Sequence, residues 1–261
     1  MKVKIVQLSS GPDVQQNIEK SIRLASQGAK ADLIVFPEYQ MVVPDFANPG
    51  FTIRQAESEE GVFVTAMREL SKNSGSAVLC NGTILDGKNR VLNRSLFLEN
   101  GEISFRYDKT HLYDAMNSRE SAVYSYGLLP YRGHRVSEFT IGPLICYDLR
   151  FPEAARALRL RGARVITYQS GWFSGQGKKD QWITLLSSRA IENGCYVIGA
   201  AQTGDAFTGN SAVIDPKGAI VARLGKEEGI LEAQLSAASI EEYDRNYPLV
   251  EQRRTDLYSS L

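Results

Sequence analysis

Side chains suited to metal or redox work are scarce in this chain. It carries three cysteines, Cys80, Cys146 and Cys195, and two histidines, His111 and His134. The cysteine number is odd and no pair has C-x-x-C spacing, which argues against a disulfide framework or a structural zinc site. Two histidines and three dispersed cysteines are also a poor inventory for any metal centre. A charge excess is missing too: Lys plus Arg is 30, Asp plus Glu is 30, and the formal net charge is zero. That balance gives no reason to expect nucleic acid or membrane partners. A near-neutral chain associates readily, and a homodimer is expected. Long apolar runs are absent. The opening MKVKIVQLSS is too short for a secretory signal or a membrane span and reads as a strand. A cytoplasmic enzyme is the default expectation. There is no internal repeat, low-complexity tract or Pro/Gly/Ser-rich linker, so one continuous domain is the simplest organisation for 261 residues.

What is present is ordinary soluble-protein material, 43% hydrophobic and 23% charged, enough for a large core. Strands are expected at residues 3–8, 31–36, 77–84, 91–98, 103–107, 165–168, 196–202, 211–214, 220–222 and 229–235. Residues 136–146 read as two strands broken near Gly142 and Pro143. Amphipathic helices are expected at 13–27, 61–72, 152–161 and 180–192, with a short one in the tail. The turns at 86–89 and 99–102 describe a small antiparallel meander. Residues 110–129 are polar and irregular, a loop with at most one helical turn. Strands alternate with helices in places and form hairpins in others. This predicts an α/β fold of mixed sheets with helices outside, not a pure parallel barrel.

Three residues stand where chemistry collects. Cys146, in TIGPLICYDLRFPE, ends a buried strand, and Pro152 and Glu153 follow as the first turn of a helix. A thiol near a helix N-terminus is biased toward thiolate. The backbone N–H of Tyr147 could face a developing oxyanion. Glu38, in ADLIVFPEYQ, directly follows a buried strand; desolvation there raises a carboxyl toward useful base range. Lys109, in ISFRYDKTHLY, follows a third strand and could steady a thiolate or an oxyanion. Each has a bland alternative: a core cysteine, a loop carboxylate, a solvated lysine. Together, at the C-terminal ends of strands, they supply nucleophile, base and charge stabiliser.

The segments VFPEY, YDKTHL and ICYDLRFPE, with the later QWITLLSSRAIENGCYVIGAAQ and GNSAVIDPKG, resemble the nitrilase superfamily of carbon–nitrogen hydrolases. The resemblance covers residues 1–235, leaving 236–261 as a C-terminal tail expected at a dimer interface. It implies a four-layer α-β-β-α sandwich with two mixed β-sheets. It implies a Glu–Lys–Cys triad carried by Glu38, Lys109 and Cys146, and a second glutamate, placed at Glu120, that orients Lys109 and the attacking water. The loop around Glu120 lacks the family's common Pro-Gly turn. The implied reaction is hydrolysis of a terminal amide of a small, carboxylate-bearing molecule through a thioester, releasing ammonia, with no cofactor and no metal. CYDLRFPE is similar to the amidase branch, ω-amidases and deaminated-glutathione amidases. N-carbamoyl amino acid or nitrile hydrolysis by the same triad are alternatives. A Cys146–His111 transferase or thiol hydrolase is a rival enzyme, and a catalytically silent interaction module a rival of another class.

Tyr39, Tyr147 and Trp172 are the expected substrate-binding residues. Arg119, Arg132, Lys178 and Lys179 are candidates for a substrate carboxylate, and Arg150 reads as structural. His111 is expected to make a structural hydrogen bond, His134 to lie on a surface loop, and Cys80 and Cys195 to sit in the core.

Overall fold

The computed structural model describes residues 1–116, 118–128 and 130–258. The loop expected at 110–129 and the tail expected at 236–261 therefore each include positions outside the described residues. In chain order the elements are β1 (Lys2–Gln7), α1 (Val14–Ala25), β2 (Leu33–Val35), α2 (Pro49–Gln55), α3 (Val62–Ser74), β3 (Ala77–Leu85), β4 (Val91–Glu99), β5 (Glu102–Asp108), β6 (His134–Val136), β7 (Phe139–Ile145), α4 (Pro152–Leu160), β8 (Val165–Ser170), α5 (Lys178–Asn193), β9 (Tyr196–Ala201), β10 (Ala212–Ile214), β11 (Ile220–Arg223), β12 (Gly229–Gln234), α6 (Ala237–Asn246) and α7 (Thr255–Tyr258).

The strands form two six-stranded mixed sheets, ordered β12-β1-β2-β3-β4-β5 and β11-β10-β9-β8-β7-β6. Strand alternation explains the layering. In β1, Val3 and Ile5 face the second sheet, packing with Phe139, Ile141, Val165, Ile198 and Val213. Val6 on the opposite face meets Ile18 of α1 and Val64 and Met67 of α3. On the second sheet, Ile166 and Val197 turn outward against Leu158 of α4 and Leu186 and Ala190 of α5. Strands buried on both faces read as continuous apolar runs. The result is the α-β-β-α sandwich.

Local signals set the helix ends. The Asp13 side chain accepts from the N–H of Gln16 and starts α1. At the other end buried Lys4 sends its ammonium to the carbonyls of Ala25 at 3.0 Å and Gln27 at 2.5 Å, where the helix dipole favours a cation. Pro152 opens α4 with Glu153 in its first turn. In the tail, α6 buries Ile240 and Tyr243, and Asp244 takes ion pairs from Arg159 and Arg164.

Three expectations are corrected. β7 runs unbroken through Gly142 and Pro143, and the chain turns instead at Ser137, which adopts φ +54°. β6 ends opposite Ile141, so Pro143 has a partner strand on one side only, where a residue without an N–H is tolerated. His134 belongs to β6 rather than to a loop. Its Nε2 lies 2.6 Å from Glu99 Oε2, and its ring sits against Phe97 and Phe105. Helix α2 was not expected; seven residues starting at a proline give little periodicity to read. The 110–129 segment does contain one short 3-10 turn, Glu120–Ala122.

Candidate active site

Four chain segments converge beyond the strand ends. Glu38 follows β2, Lys109 follows β5, Glu120 sits on the short turn after it, and Cys146 follows β7. Glu38 and Glu120 are fully buried, and Lys109 is nearly so.

The lysine is held between the two carboxylates. Its Nζ lies 2.8 Å from Glu38 Oε1, and 2.8 and 2.7 Å from Glu120 Oε1 and Oε2. Glu38 also accepts from Asn93 Nδ2 at 2.8 Å and, on Oε2, from the backbone N–H of Gly171 at 2.7 Å. Glu120 accepts from the N–H of Tyr113 at 2.6 Å, and Asn93 reaches it at 3.2 Å. Every buried charge here is paired and hydrogen-bonded, as a low-dielectric site demands.

Electrostatics follow from that packing. Burial pushes the Glu38 carboxyl above its usual range, the Lys109 ammonium pulls it back, and the Glu120 charge raises it again. Burial also disfavours the Lys109 ammonium, but Glu120, Glu38 and Cys146 outweigh this and hold it protonated. The Cys146 thiol is pushed up, first by burial and then by Glu38, while Lys109 and the Ser170 hydroxyl draw it down. The resting site therefore holds a thiol beside a raised carboxyl and a fixed ammonium.

Cys146 is half-buried and has φ +43°, a left-handed conformation uncommon for a residue with a side chain. It heads a tight turn, Cys146–Arg150, before α4. Asp148 fixes that turn: it accepts from the N–H of Ile145 at 2.9 Å, the hydroxyl of Tyr107 at 2.7 Å, and Nδ1 of His111 at 2.7 Å. Backbone held in a strained region by surrounding bonds is a mark of functional sites.

Cys146 opens on a cavity with about 360 Å³ of empty space, its mouth included, lined by Tyr39, Lys109, Tyr113, Tyr147, Arg150 and Gly171, and by Trp172, Phe173 and Lys178. All three expected substrate-binding residues line it. Of the expected carboxylate ligands Lys178 does; Arg119, Arg132 and Lys179 do not. Arg150, read from sequence as structural, also lines the cavity. It lies over the Trp172 ring, 4.9 Å from its centroid, and faces the cavity. Trp172 in turn donates from Nε1 to the Lys178 carbonyl at 3.0 Å. His111 stacks on Phe151 and is not among the lining residues. A wider groove between α1 and α3, beside Lys30 and Glu69, holds none of these groups.

Sequence reading missed Asn93, Asn81 and Gly171. The two asparagines carry a faint signal, because Asn is depleted in strands and both interrupt apolar runs, in AVLCNGTIL and VLNRSLFLE.

The molecule is similar to known proteins over nearly its whole length. A deaminated glutathione amidase of Escherichia coli O157:H7 is 31% identical over 247 residues, 92% of each chain. The human deaminated glutathione amidase is 31% identical over 278 residues, 99% of this chain and 84% of its own. Among solved structures, the C. elegans NitFhit protein has a TM-score of 0.90 at 27% identity over 99% of this chain, which spans 66% of that longer one. A CN-hydrolase superfamily protein of Xanthomonas campestris, solved with an arsenic adduct in its active site, has a TM-score of 0.85 at 26% identity, covering 97% of each chain. Among the described residues no helix is long and apolar enough to cross a membrane. The model of the carbon-nitrogen hydrolase family matches residues 2–245, from β1 into α6. With both sheets, the convergent strand ends and most of the tail's first helix inside that match, the chain belongs to the carbon-nitrogen hydrolase family.

Proposed function

We propose that this protein is an amidase that hydrolyses the terminal amide of a small, carboxylate-bearing molecule through a thioester on Cys146. The observation that carries this reading is the buried Glu38–Lys109–Glu120 cluster at the wall of the cavity onto which Cys146 opens. Cys146 attacks the amide carbon and its thiol proton passes to Glu38. Lys109 and the Tyr147 backbone N–H stabilise the oxyanion. Collapse breaks the C–N bond, and protonated Glu38 gives its proton to the leaving nitrogen, so ammonia departs. Glu38 then takes a proton from water as that oxygen attacks the thioester, and collapse returns the thiol and a carboxylic acid. One carboxylate serves both halves because its proton moves in opposite senses. Glu120 keeps Lys109 in place and helps position the water. The sequence requires no cofactor for these steps.

Arg150 and Lys178 supply the cationic end of the cavity, and Tyr113, Tyr147, Trp172 and Phe173 its aromatic walls. A substrate with an amide at one end and a carboxylate at the other suits that polarity. The deaminated glutathione amidases among the relatives support the same class. All three cysteines are free, which suits a reducing compartment and supports a cytoplasmic setting. Exposed Leu160, Ile191, Tyr247, Leu257 and Tyr258 support a homodimer that uses the tail, which sedimentation at micromolar concentration would test.

The deciding experiment is ammonia release across ω-amides of dicarboxylic acids, N-carbamoyl amino acids and nitriles. Turnover of ω-amides, abolished by Cys146→Ala, is expected. Preference for either other class would reassign the substrate. Inertness toward all, with no acyl adduct on Cys146 by mass spectrometry, would favour a silent binding module. Activity that survives Glu38→Gln but not His111→Asn would favour the Cys–His rival.

A further inference from the structure

Asn93, on β4, is buried between the two carboxylates. Its Nδ2 donates to Glu38 Oε1 at 2.8 Å and to Glu120 Oε1 at 3.2 Å. Its Oδ1 accepts from Asn81 Nδ2 at 2.9 Å, and Asn81 Oδ1 accepts from the N–H of Tyr39 at 2.8 Å. The Asn93 backbone carbonyl accepts from the N–H of Lys109 at 3.0 Å. The chain of amides has a fixed direction. An amide oxygen turned toward two carboxylates would oppose acceptor to acceptor, so only the NH₂ end fits. Asn81 meets the other end and locks that choice.

Lone pairs can then be counted. Each carboxylate oxygen offers two acceptor sites. Oε1 of Glu38 accepts from Lys109 and from Asn93, which fills both. Among the described residues Oε2 accepts from Gly171 alone, leaving one site open.

We propose that Asn93 is a positioning residue which, with Lys109, saturates Oε1 of Glu38 and thereby directs the proton from Cys146 to Oε2. This rests on Glu38 being the base of the proposed reaction. In the acylation half the S–H bond breaks as an O–H bond forms on Oε2. When the amine leaves, that O–H bond breaks as the N–H bond forms. Without Asn93, Oε1 regains an open site that competes with Oε2 for the proton. The ionised form of Glu38 also loses a hydrogen bond that favours it. The charged and titratable groups facing Glu38 are Lys109, Glu120, Cys146, Tyr39 and Tyr124; Asn93 is a neutral donor among them.

The test is alkylation of Cys146 by iodoacetamide in the full chain, followed by mass spectrometry from mildly acidic to mildly alkaline pH, with thermal unfolding of each variant alongside. In Asn93→Leu the midpoint of the acid limb rises by about one pH unit, and the rate below it falls about tenfold. Asn93→Asp, which adds a third carboxylate, raises the midpoint further. Asn93→Ser keeps one donor and brings the midpoint back toward wild type. If Leu does not fold, the order Asp above Ser above wild type carries the result. Midpoints that stay at the wild-type value, whatever happens to the plateau rates, would reduce Asn93 to a structural part and overturn the proposal. A wild-type thiol that is inert at every pH would instead overturn Glu38 as its base, and this inference with it.

Discussion

The backbone N–H of Gly171 donates to Glu38 Oε2 at 2.7 Å, joining the end of β8 to the end of β2 across 133 residues of sequence. No side chain fits at this point. A Cβ on Gly171 would meet the Tyr39 ring at 2.6 Å and Phe207 at 3.1 Å. The ring cannot yield freely, because Tyr39 sits at φ +59° with its N–H tied to Asn81. Gly171→Ala is therefore expected to push the ring and the Glu38 contact apart. Overpacking of this kind costs about 1–3 kcal/mol, and a displacement near 1 Å at reacting groups costs about 10²-fold in rate. Denaturant unfolding and kcat on the best amide check the two halves. Full activity in a stably folded variant would show that the Gly171 contact is dispensable.

With Glu38 as the proposed base, its raised carboxyl is expected to set the acid side of the rate profile. As pH falls through its pKa, which lies above the ordinary 4.5, the carboxylate gains a proton and can no longer accept one from Cys146. kcat/KM is expected to fall about tenfold per pH unit below that point. Stability runs the other way. A carboxyl whose folded pKa is raised contributes most below its unfolded value and loses that contribution as pH rises through the folded one. Glu38→Gln, which fixes the neutral form, is thus expected to be inactive, yet more stable relative to wild type at mildly alkaline pH than near pH 4.5. Urea unfolding at the two pH values decides it, and a relative stability that does not change with pH would count against the raised pKa.

Most strands could be read from sequence because they are buried on both faces and apolar throughout, as Leu33–Val35 and Tyr196–Ala201 are. Where burial was one-sided or helices short, pattern gave less. β6, with one buried residue in three, left His134 looking like a loop residue, and α2 went unseen. In the site, Glu38, Lys109 and Cys146 stood out as groups just past strand ends, while Glu120 was placed by the family resemblance alone. Asn93 stands inside a strand and Gly171 acts through its backbone, so neither has a sequence position that announces it. The cavity-lining position of Arg150 was not legible for a related reason. The arginine sits four residues past Cys146 on the same turn, and its stacking on Trp172 and its hydrogen bond to Gln181, both distant in sequence, hold it at the cavity.

The three cysteines differ in ways that alkylation can read. Burial pushes the Cys80 and Cys195 thiols up to about 12, and neither is exposed. Carboxylates act on both, Glu57 on Cys80 and Glu192 on Cys195, and raise them further, and neither thiol lines the cavity onto which Cys146 opens. Iodoacetamide on the folded protein at neutral pH is expected to give one adduct, on Cys146, and none in Cys146→Ala. Denatured wild type should give three. Mass spectrometry of peptides counts them, and rapid native labelling of Cys80 or Cys195 would mean that the core opens more readily than its packing implies.

Arg150 is expected to divide substrates by charge. Its guanidinium is held by stacking on Trp172 and by a hydrogen bond from Nη2 to Gln181 Oε1 at 2.9 Å, so it is ordered before a substrate arrives. A preordered guanidinium offers two parallel donors to a carboxylate, where a lysine offers a point charge. Arg150→Lys should therefore raise KM for an ω-amide acid about tenfold or more, in keeping with a charge-assisted bond of about 1.5–3 kcal/mol. The same variant should leave KM for the matching uncharged amide ester within about twofold, because that substrate never used the contact. kcat should move little for either if Arg150 binds ground state and transition state alike. Equal losses on both substrates would place Arg150 in support of the Cys146 turn, the role that its sequence position first suggested, and would pass the carboxylate to Lys178.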